Sequence, residues 1–378
     1  MHESLGDTKP PTVTGRLSLL TGALSPQSSW QAGGLPCGGL TAVGKGAVTL
    51  ARARGGSGDL VAGHPPATSR RQFAMSILID ETTTVVVQGI TGREGRIITK
   101  DSLDYGTRVV AGVTPGRGGQ EVLGVPVYDS LKSAVSVHRP TAAVICVPPL
   151  GVRDAALEAI ENAIPLLLIV TERIPRKDVC EVLVAASANG VRVLGPNSLG
   201  AIAPGRCKLG TVGGSLENTL QTFMRGSVGI LSRSGGMTSE LANVLTTRGI
   251  GQSACVSVGG DPLIGSTFKD LFLLFEQDSE TMAVVLFCEP GGTMEEELSD
   301  YYKTVRSRKP IVAFVAGRFV DDMPGTRFGH AGVIVDGNRG SARGKIEAFE
   351  AAGVRVAHRL RDLVPLVTEC VPGLAMPG

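Results

Sequence analysis

One pattern repeated along the chain limits its fold more than anything else: a short apolar run of mostly β-branched residues, a helical segment, then another apolar run. It begins with Thr84-Val85-Val86-Val87-Gln88 and recurs at Arg108–Val113, Ala142–Val147, Pro165–Val170 and Val191–Leu194. Strands buried on both faces need not alternate with polar residues, and parallel neighbours need helical crossovers. Arg93–Tyr105, Gly151–Ala163 and Arg176–Asn189 fit that part. The pattern predicts an α/β domain over residues 76–205, a Rossmann-like parallel sheet with helices on both faces.

A polar, Gly-rich stretch from Gly200 to Gly226 follows, with residues 206–226 read as a linker. A second series then begins, with strands expected at Ser227–Leu231, Gln252–Val258, Met282–Phe287 and Pro310–Val315, and a last one at Gly353–Val356. Helices open near Gly236, Ser266 and Thr293, which predicts a flavodoxin-like parallel α/β domain over residues 227–370 and a short tail, 371–378. Two domains also suit the length, since 378 residues exceed the roughly 250–300 at which single cores stop growing.

Residues 1–75 are different. They mix Gly, Pro, Ser and Arg without sustained periodicity, a composition that cannot bury enough apolar surface to offset the entropy of ordering. A disordered leader is expected, with order starting close to Met75. Ser69-Arg70-Arg71-Gln72-Phe73 carries the twin arginines of an export signal, but the following Ser76–Glu81 is not an apolar h-region. An organellar transit peptide, or an extension upstream of a start at Met75, fits better.

The leader holds seven of the 37 Lys and Arg but three of the 35 acids, so the remainder has 30 basic and 32 acidic residues. That balance gives no case for nucleic acid or an anionic membrane as partner. Seven scattered cysteines, none in a C-x-x-C pair, indicate neither a disulfide framework nor a metal site.

Gly89-Ile90-Thr91-Gly92-Arg93-Glu94-Gly95 lies between the first strand and the first helix, where glycines let backbone N–H groups approach an anion at the helix N-terminus. The same glycines could serve only helix–strand packing. NAD-binding folds place an acid about 20 residues on, at the end of the second strand. Here that strand ends in Val113-Thr114-Pro115-Gly116-Arg117-Gly118-Gly119, and Arg117 suits a phosphorylated ribose, as in NADP or CoA.

These motifs, with Val147-Pro148-Pro149, Thr171-Glu172-Arg173-Ile174-Pro175 and Gly195-Pro196-Asn197, follow the order and spacing of one family. From about residue 75 to the end, the chain resembles the alpha subunits of succinate–CoA ligases. Met75-Ser76-Ile77-Leu78-Ile79-Asp80 is similar to that family's usual beginning. The resemblance selects CoA and implies contacts from Thr91, Gly92, Arg93, Glu94, Gly95, Arg117, Thr171 and Glu172. Arg117 stands where the family usually has Lys, and Asn197-Ser198-Leu199-Gly200 where it has Asn-Cys-Pro-Gly.

Of five histidines, His330 alone lies in a small-residue loop, Gly329-His330-Ala331-Gly332. The resemblance makes His330 the phosphohistidine and Glu289, after the Met282–Phe287 strand, the carboxylate that positions it. Ser232-Arg233-Ser234-Gly235-Gly236 opens a helix whose N-terminus can receive the phosphorylated side chain. Ser234, Gly235, Gly236 and Ser239 are the expected substrate residues. Ser239 stands where the family has the Tyr that lines the succinate site, so a larger acid, citrate or malate among them, is an alternative. Some motifs, Ser-Arg-Ser-Gly-Gly-Met and Arg-Phe-Gly-His-Ala-Gly, are closer to ATP-citrate lyase.

The chain has no Gly-x-x-x-x-Gly-Lys-Ser/Thr loop and nothing resembling an ATP-grasp domain. The resemblance therefore implies an ATP-grasp beta subunit that binds ATP or GTP with magnesium, and a cytoplasmic location, or the mitochondrial matrix if the leader is a transit peptide. A CoA- or NADP-binding regulatory protein or oxidoreductase would explain the first domain but not Glu289 and His330 together.

Overall fold

The computed structural model describes residues 77–305, 309–322 and 339–374. In its N-terminal part the β-branched runs become strands β1 (Thr84–Gln88), β2 (Arg108–Val113), β3 (Glu121–Val122), β4 (Val125–Tyr128), β5 (Ala142–Ile145), β6 (Leu166–Ile169) and β7 (Arg192–Leu194). Helices α1 (Arg93–Asp104), α2 (Leu131–His138), α3 (Val152–Glu161) and α4 (Arg176–Asn189) connect them. The strand order is β3-β4-β2-β1-β5-β6-β7, parallel except for β3 against β4. Without the short edge strand β3 this is the dinucleotide-binding order.

The C-terminal sheet contains β8 (Gly200–Ala203), β9 (Cys207–Gly210), β10 (Arg225–Ser232), β11 (Gln252–Ser257), β12 (Ala283–Cys288), β13 (Ile311–Val315) and β14 (Arg355–Ala357). Its helices are α5 (Leu216–Thr222), α6 (Gly235–Thr246), α7 (Phe268–Gln277), α8 (Met294–Val305), α9 (Ala342–Ala351) and α10 (Leu363–Cys370). The order β14-β13-β12-β10-β11-β8-β9 is the flavodoxin-like arrangement, extended at one edge by the hairpin β8–β9, which pairs antiparallel to β11.

The period-2 geometry of strands sorts alternate side chains into separate cores. Val86, Ala143, Ile145 and Leu167 pack under α3 and α4. Val85, Val87, Val144 and Leu168 belong to another cluster that continues, without a break, into Ala201, Leu209, Val256, Phe268 and Phe272 of the C-terminal part. The two sheets thus share one apolar core. A third cluster fills the far face of the C-terminal sheet, beneath α6 and α10.

The stretch read as a linker is therefore built structure. Residues 200–203 and 207–210 form the β8–β9 hairpin and 216–222 form α5. Small residues and the turn at Pro204-Gly205 hid the strands, as did Lys208 in the middle of β9. Lys208 is fully buried, its ammonium donating to Gly214 O and to Thr219 Oγ1 (3.4 Å). Burial pushes its pKa down, opposed by Asp101 and Asp104. The sequence reading also passed over β4, which contains Pro126, and α2. His138 ends α2, its Nε2 lying 2.8 Å from the Tyr128 hydroxyl.

Between the sheets, the chain at 195–200 is tied on both sides. Gly195 N–H donates to Val258 O (3.1 Å), and a Cβ at Gly195 would lie 2.3 Å from Ile169 O, which leaves room only for glycine. Ser198 is fully buried. Its Oγ donates to Ser257 O (2.6 Å) and accepts the Gly200 N–H (3.0 Å). Ser198→Ala orphans both backbone groups and is expected to cost about 1–3 kcal/mol. The check is a lower urea midpoint by circular dichroism; an unchanged midpoint would place the rigidity of this seam elsewhere.

Candidate functional site

In both sheets the expected functional residues gather at the C-terminal strand ends, where parallel α/β folds hold their ligands. At the end of β1, Gly89 (φ +90°) donates its N–H to Val113 O (2.8 Å), and Gly92 N–H closes the turn onto Gly89 O (3.0 Å). Gly92 is the N-cap of α1 and offers no side-chain acceptor, so the first N–H groups of the helix face outward uncapped. A Cβ at Gly95 would sit 2.2 Å from Gly89 O. Gly95 is buried, and its part is to let α1 close on the loop; Arg93 and Glu94 beside it are exposed.

Neighbouring strand ends complete this edge. Thr91 Oγ1 donates to Thr114 Oγ1 (3.2 Å) after β2. The Arg117 turn is held by Arg117 N–H to Thr114 O (3.1 Å) and Gly118 N–H to Asp129 Oδ1 (2.8 Å), which leaves the Arg117 side chain exposed. After β6, Thr171 Oγ1 donates to Val147 O (2.7 Å), and Glu172 pairs with Arg173 (3.3 Å) at the surface. Thr91, Gly92, Arg93, Glu94, Gly95, Arg117, Thr171 and Glu172 thus line the loops of one sheet edge. Burial, with the charge of Glu94 adding to it, pushes the nearby Cys146 thiol up to about 12. Such burial disfavours the thiolate, the nucleophilic form.

The second sheet places β10 beside β12, with Ser232 opposite Phe287. Ser234 caps α6 by accepting the Met237 N–H (3.4 Å), while Ser232 Oγ donates to Ser234 O (2.6 Å). Gly235 packs against Leu199, whose Cγ would lie 2.2 Å from a Cβ there; Gly236 is exposed, with nothing within 4 Å of a Cβ. Ser239 is half-buried farther along α6, and Glu289, half-buried, directly follows β12. His330 lies outside the described residues.

Arg233 was expected in the anion-receiving turn. The structure turns its side chain inward, 4% exposed, with Nη1 donating to Gly291 O (2.7 Å). Lys345 and Glu295, fully buried near it, were not singled out, because on the sequence they are ordinary charges of amphipathic helices. Among the described residues there is no group of three or more His, Cys, Asp or Glu able to hold a metal, and no helix long and apolar enough to cross a membrane.

Comparison with known proteins agrees with this division. The family model for a CoA binding domain matches residues 80–173, and the one for a CoA-ligase matches residues 231–355. The chain is 46% identical over 295 residues to the alpha subunit 2 of an ADP-forming succinate–CoA ligase from Archaeoglobus fulgidus, spanning 78% of this chain and 99% of that one. It is 41% identical over 295 residues, 78% and 98% of the two chains, to a subunit of an ADP-forming sulfoacetate–CoA ligase from Acholeplasma sp.. Among solved structures, ATP citrate lyase of Methanosaeta concilii superposes with a TM-score of 0.72 over 80% of this chain and 53% of that longer one, at 24% identity, a likeness of fold. With two matched domains in their expected order and near-complete coverage of the Archaeoglobus subunit, this chain belongs to the succinate–CoA ligase alpha-subunit family.

Proposed function

We propose that the chain is the CoA-binding, phosphohistidine-bearing alpha subunit of an ADP- or GDP-forming ligase that joins succinate to CoA. The observation that carries this is the pairing of a CoA-binding and a ligase domain in one chain, matched over 78% of its length by nearly the whole of an ADP-forming succinate–CoA ligase alpha subunit. The absence of a nucleotide-binding motif goes with a separate beta subunit that holds ATP or GTP with magnesium. A cytoplasmic location, or the mitochondrial matrix if residues 1–75 are a transit peptide, fits the same reading.

On this proposal a ring nitrogen of His330 takes the terminal phosphoryl group from the nucleotide, releasing the diphosphate. Glu289 holds the imidazole in the tautomer that presents a free lone pair. The N–H groups opening α6, at Gly235 and Gly236, offset the phosphoryl charge. A succinate oxygen then attacks phosphorus and frees the histidine; the CoA thiolate attacks the resulting acyl phosphate, and phosphate leaves. The uncapped N-terminus of α1 and the exposed Arg117 bind the phosphates of CoA. Thr91, Thr171 and Glu172 fix the rest of it.

A second reading concerns the acid. Ser239 has little bulk where a Tyr would wall the site, and a relative at 41% identity is a sulfoacetate–CoA ligase subunit, so this scaffold serves more than one acid. The smaller side chain and its hydroxyl suit a larger or more polar carboxylate, such as malate or citrate.

Three outcomes are expected. Gly95→Ala, which forces the loop off α1, weakens CoA binding at least about tenfold by calorimetry; unchanged affinity would put CoA elsewhere. In the enzyme reconstituted with its beta subunit, ATP and magnesium label the chain with acid-labile phosphate, and His330→Asn abolishes it; persistent labelling would refute the histidine assignment. Ser239→Tyr shifts kcat/KM toward succinate over malate and citrate by roughly 10-fold or more. Strict succinate preference in both proteins would show that this position does not select the acid.

A further inference from the structure

The loop that carries Glu289 is held by two buried cations from different elements. Gly291 (φ +95°) and Gly292 (φ +70°) reverse the chain after Glu289-Pro290. Gly291 O accepts from Arg233 Nη1 at 2.7 Å, and Gly292 O from Lys345 Nζ at 2.9 Å. Arg233 comes from the turn between β10 and α6, whereas Lys345 comes from α9. A third tie links Gly291 N–H to Gly340 O (2.7 Å), and Gly340 N–H donates in turn to Glu296 Oε1 (2.8 Å).

Stability alone is a poor account of this cluster. Lys345 Nζ lies 2.5 Å from Glu295 Oε2 and 3.1 Å from Glu296 Oε2, with Lys345 and Glu295 fully buried. Removing charges from water is expensive, and well-packed apolar residues replace such groups with little loss. The cluster is also not arranged for the best ion pairing. Arg233 Nε and Glu295 Oε1 are both buried without a hydrogen-bond partner among the described residues, while Arg233 Nη1 goes to a backbone carbonyl and Lys345 Nζ is shared between a backbone carbonyl and two carboxylates. Groups placed in that way fix a conformation, and the conformation they fix is that of the loop beginning at Glu289.

We propose that Arg233 and Lys345 are positioning residues that set the 289–292 loop, and with it Glu289, for the phosphorylation of His330. This rests on the function proposed above, in which Glu289 orients the histidine. Because Arg233 also belongs to the turn that caps α6, it ties the anion-receiving helix to the orienting carboxylate.

The test uses the enzyme reconstituted with its beta subunit and reads two quantities, the rate of protein phosphorylation by ATP with magnesium and the affinity for CoA. Two variants perturb the clamp: Arg233→Lys, which keeps the charge, and Lys345→Met combined with Glu295→Gln, which removes the closest ion pair together. Each is expected to slow labelling about 10- to 100-fold, the usual effect of losing a group that orients a functional residue. CoA affinity should change by less than about twofold, because coupling fades between residues that share no partner. In a Glu289→Gln background, which itself slows labelling, the same changes should add less than about threefold, as residues acting through one another do. Wild-type labelling rates in both variants, or an equal loss in both backgrounds, would overturn the proposal while leaving the role of Glu289 standing. Full-rate labelling of Glu289→Gln alone would instead overturn the reading on which it rests.

Discussion

A parallel sheet covered on both faces satisfies its own backbone and leaves free polar groups only at its ends; everything this protein is proposed to do follows from that constraint. At the C-terminal edges, helices α1 and α6 present N–H groups with no carbonyl to receive them. Gly92 and Gly236 keep side chains away from those groups, so an anion can reach them. The apolar cluster that runs from Val85 and Val144 through Leu209 to Phe268 then locks one sheet against the other. Their two ligand edges are fixed by a common interior rather than joined by a tether.

Within that interior, cations are used in an unusual way. Lys208 donates to Gly214 O, Arg233 to Gly291 O and Lys345 to Gly292 O, and each of these glycines has a positive φ. A carbonyl in such a turn has no strand or helix partner, and leaving it buried and unpaired is costly. A long basic side chain reaches where another backbone cannot. The burial that lowers the pKa of Lys208 is the electrostatic cost of this solution, partly offset by Asp101 and Asp104.

Most of the architecture was legible because its signal is local. Val85–Val87 and Ala283–Phe287 announce buried strands by composition, and Gly89 and Gly195 mark backbone that no other residue could follow. The β8–β9 hairpin was not legible: its strands are four residues each, rich in small residues, and interrupted by a lysine that is buried only once the chain at Gly214 and Thr219 folds over it. The same holds at the candidate site. Ser234 could be expected from its place before a helix, whereas Glu289 and His330 were singled out only by the resemblance to the ligase family, and His330 lies outside the described residues. Arg233 was visible as a residue but not as an inward-facing one, and Lys345 and Glu295 become a cluster only when α8 and α9 are packed together.

The hairpin has a consequence for dividing the molecule. A cut at the apparent boundary near Gly226 would strand β8 and β9 on the N-terminal fragment and leave the edge of β11 open to pair with any passing chain. A cut before Gly200 would strip the first sheet of the residues that cover Leu168, which contacts the backbone of that hairpin. Either cut divides the apolar cluster that the two sheets share, so the two parts are built to fold as one unit.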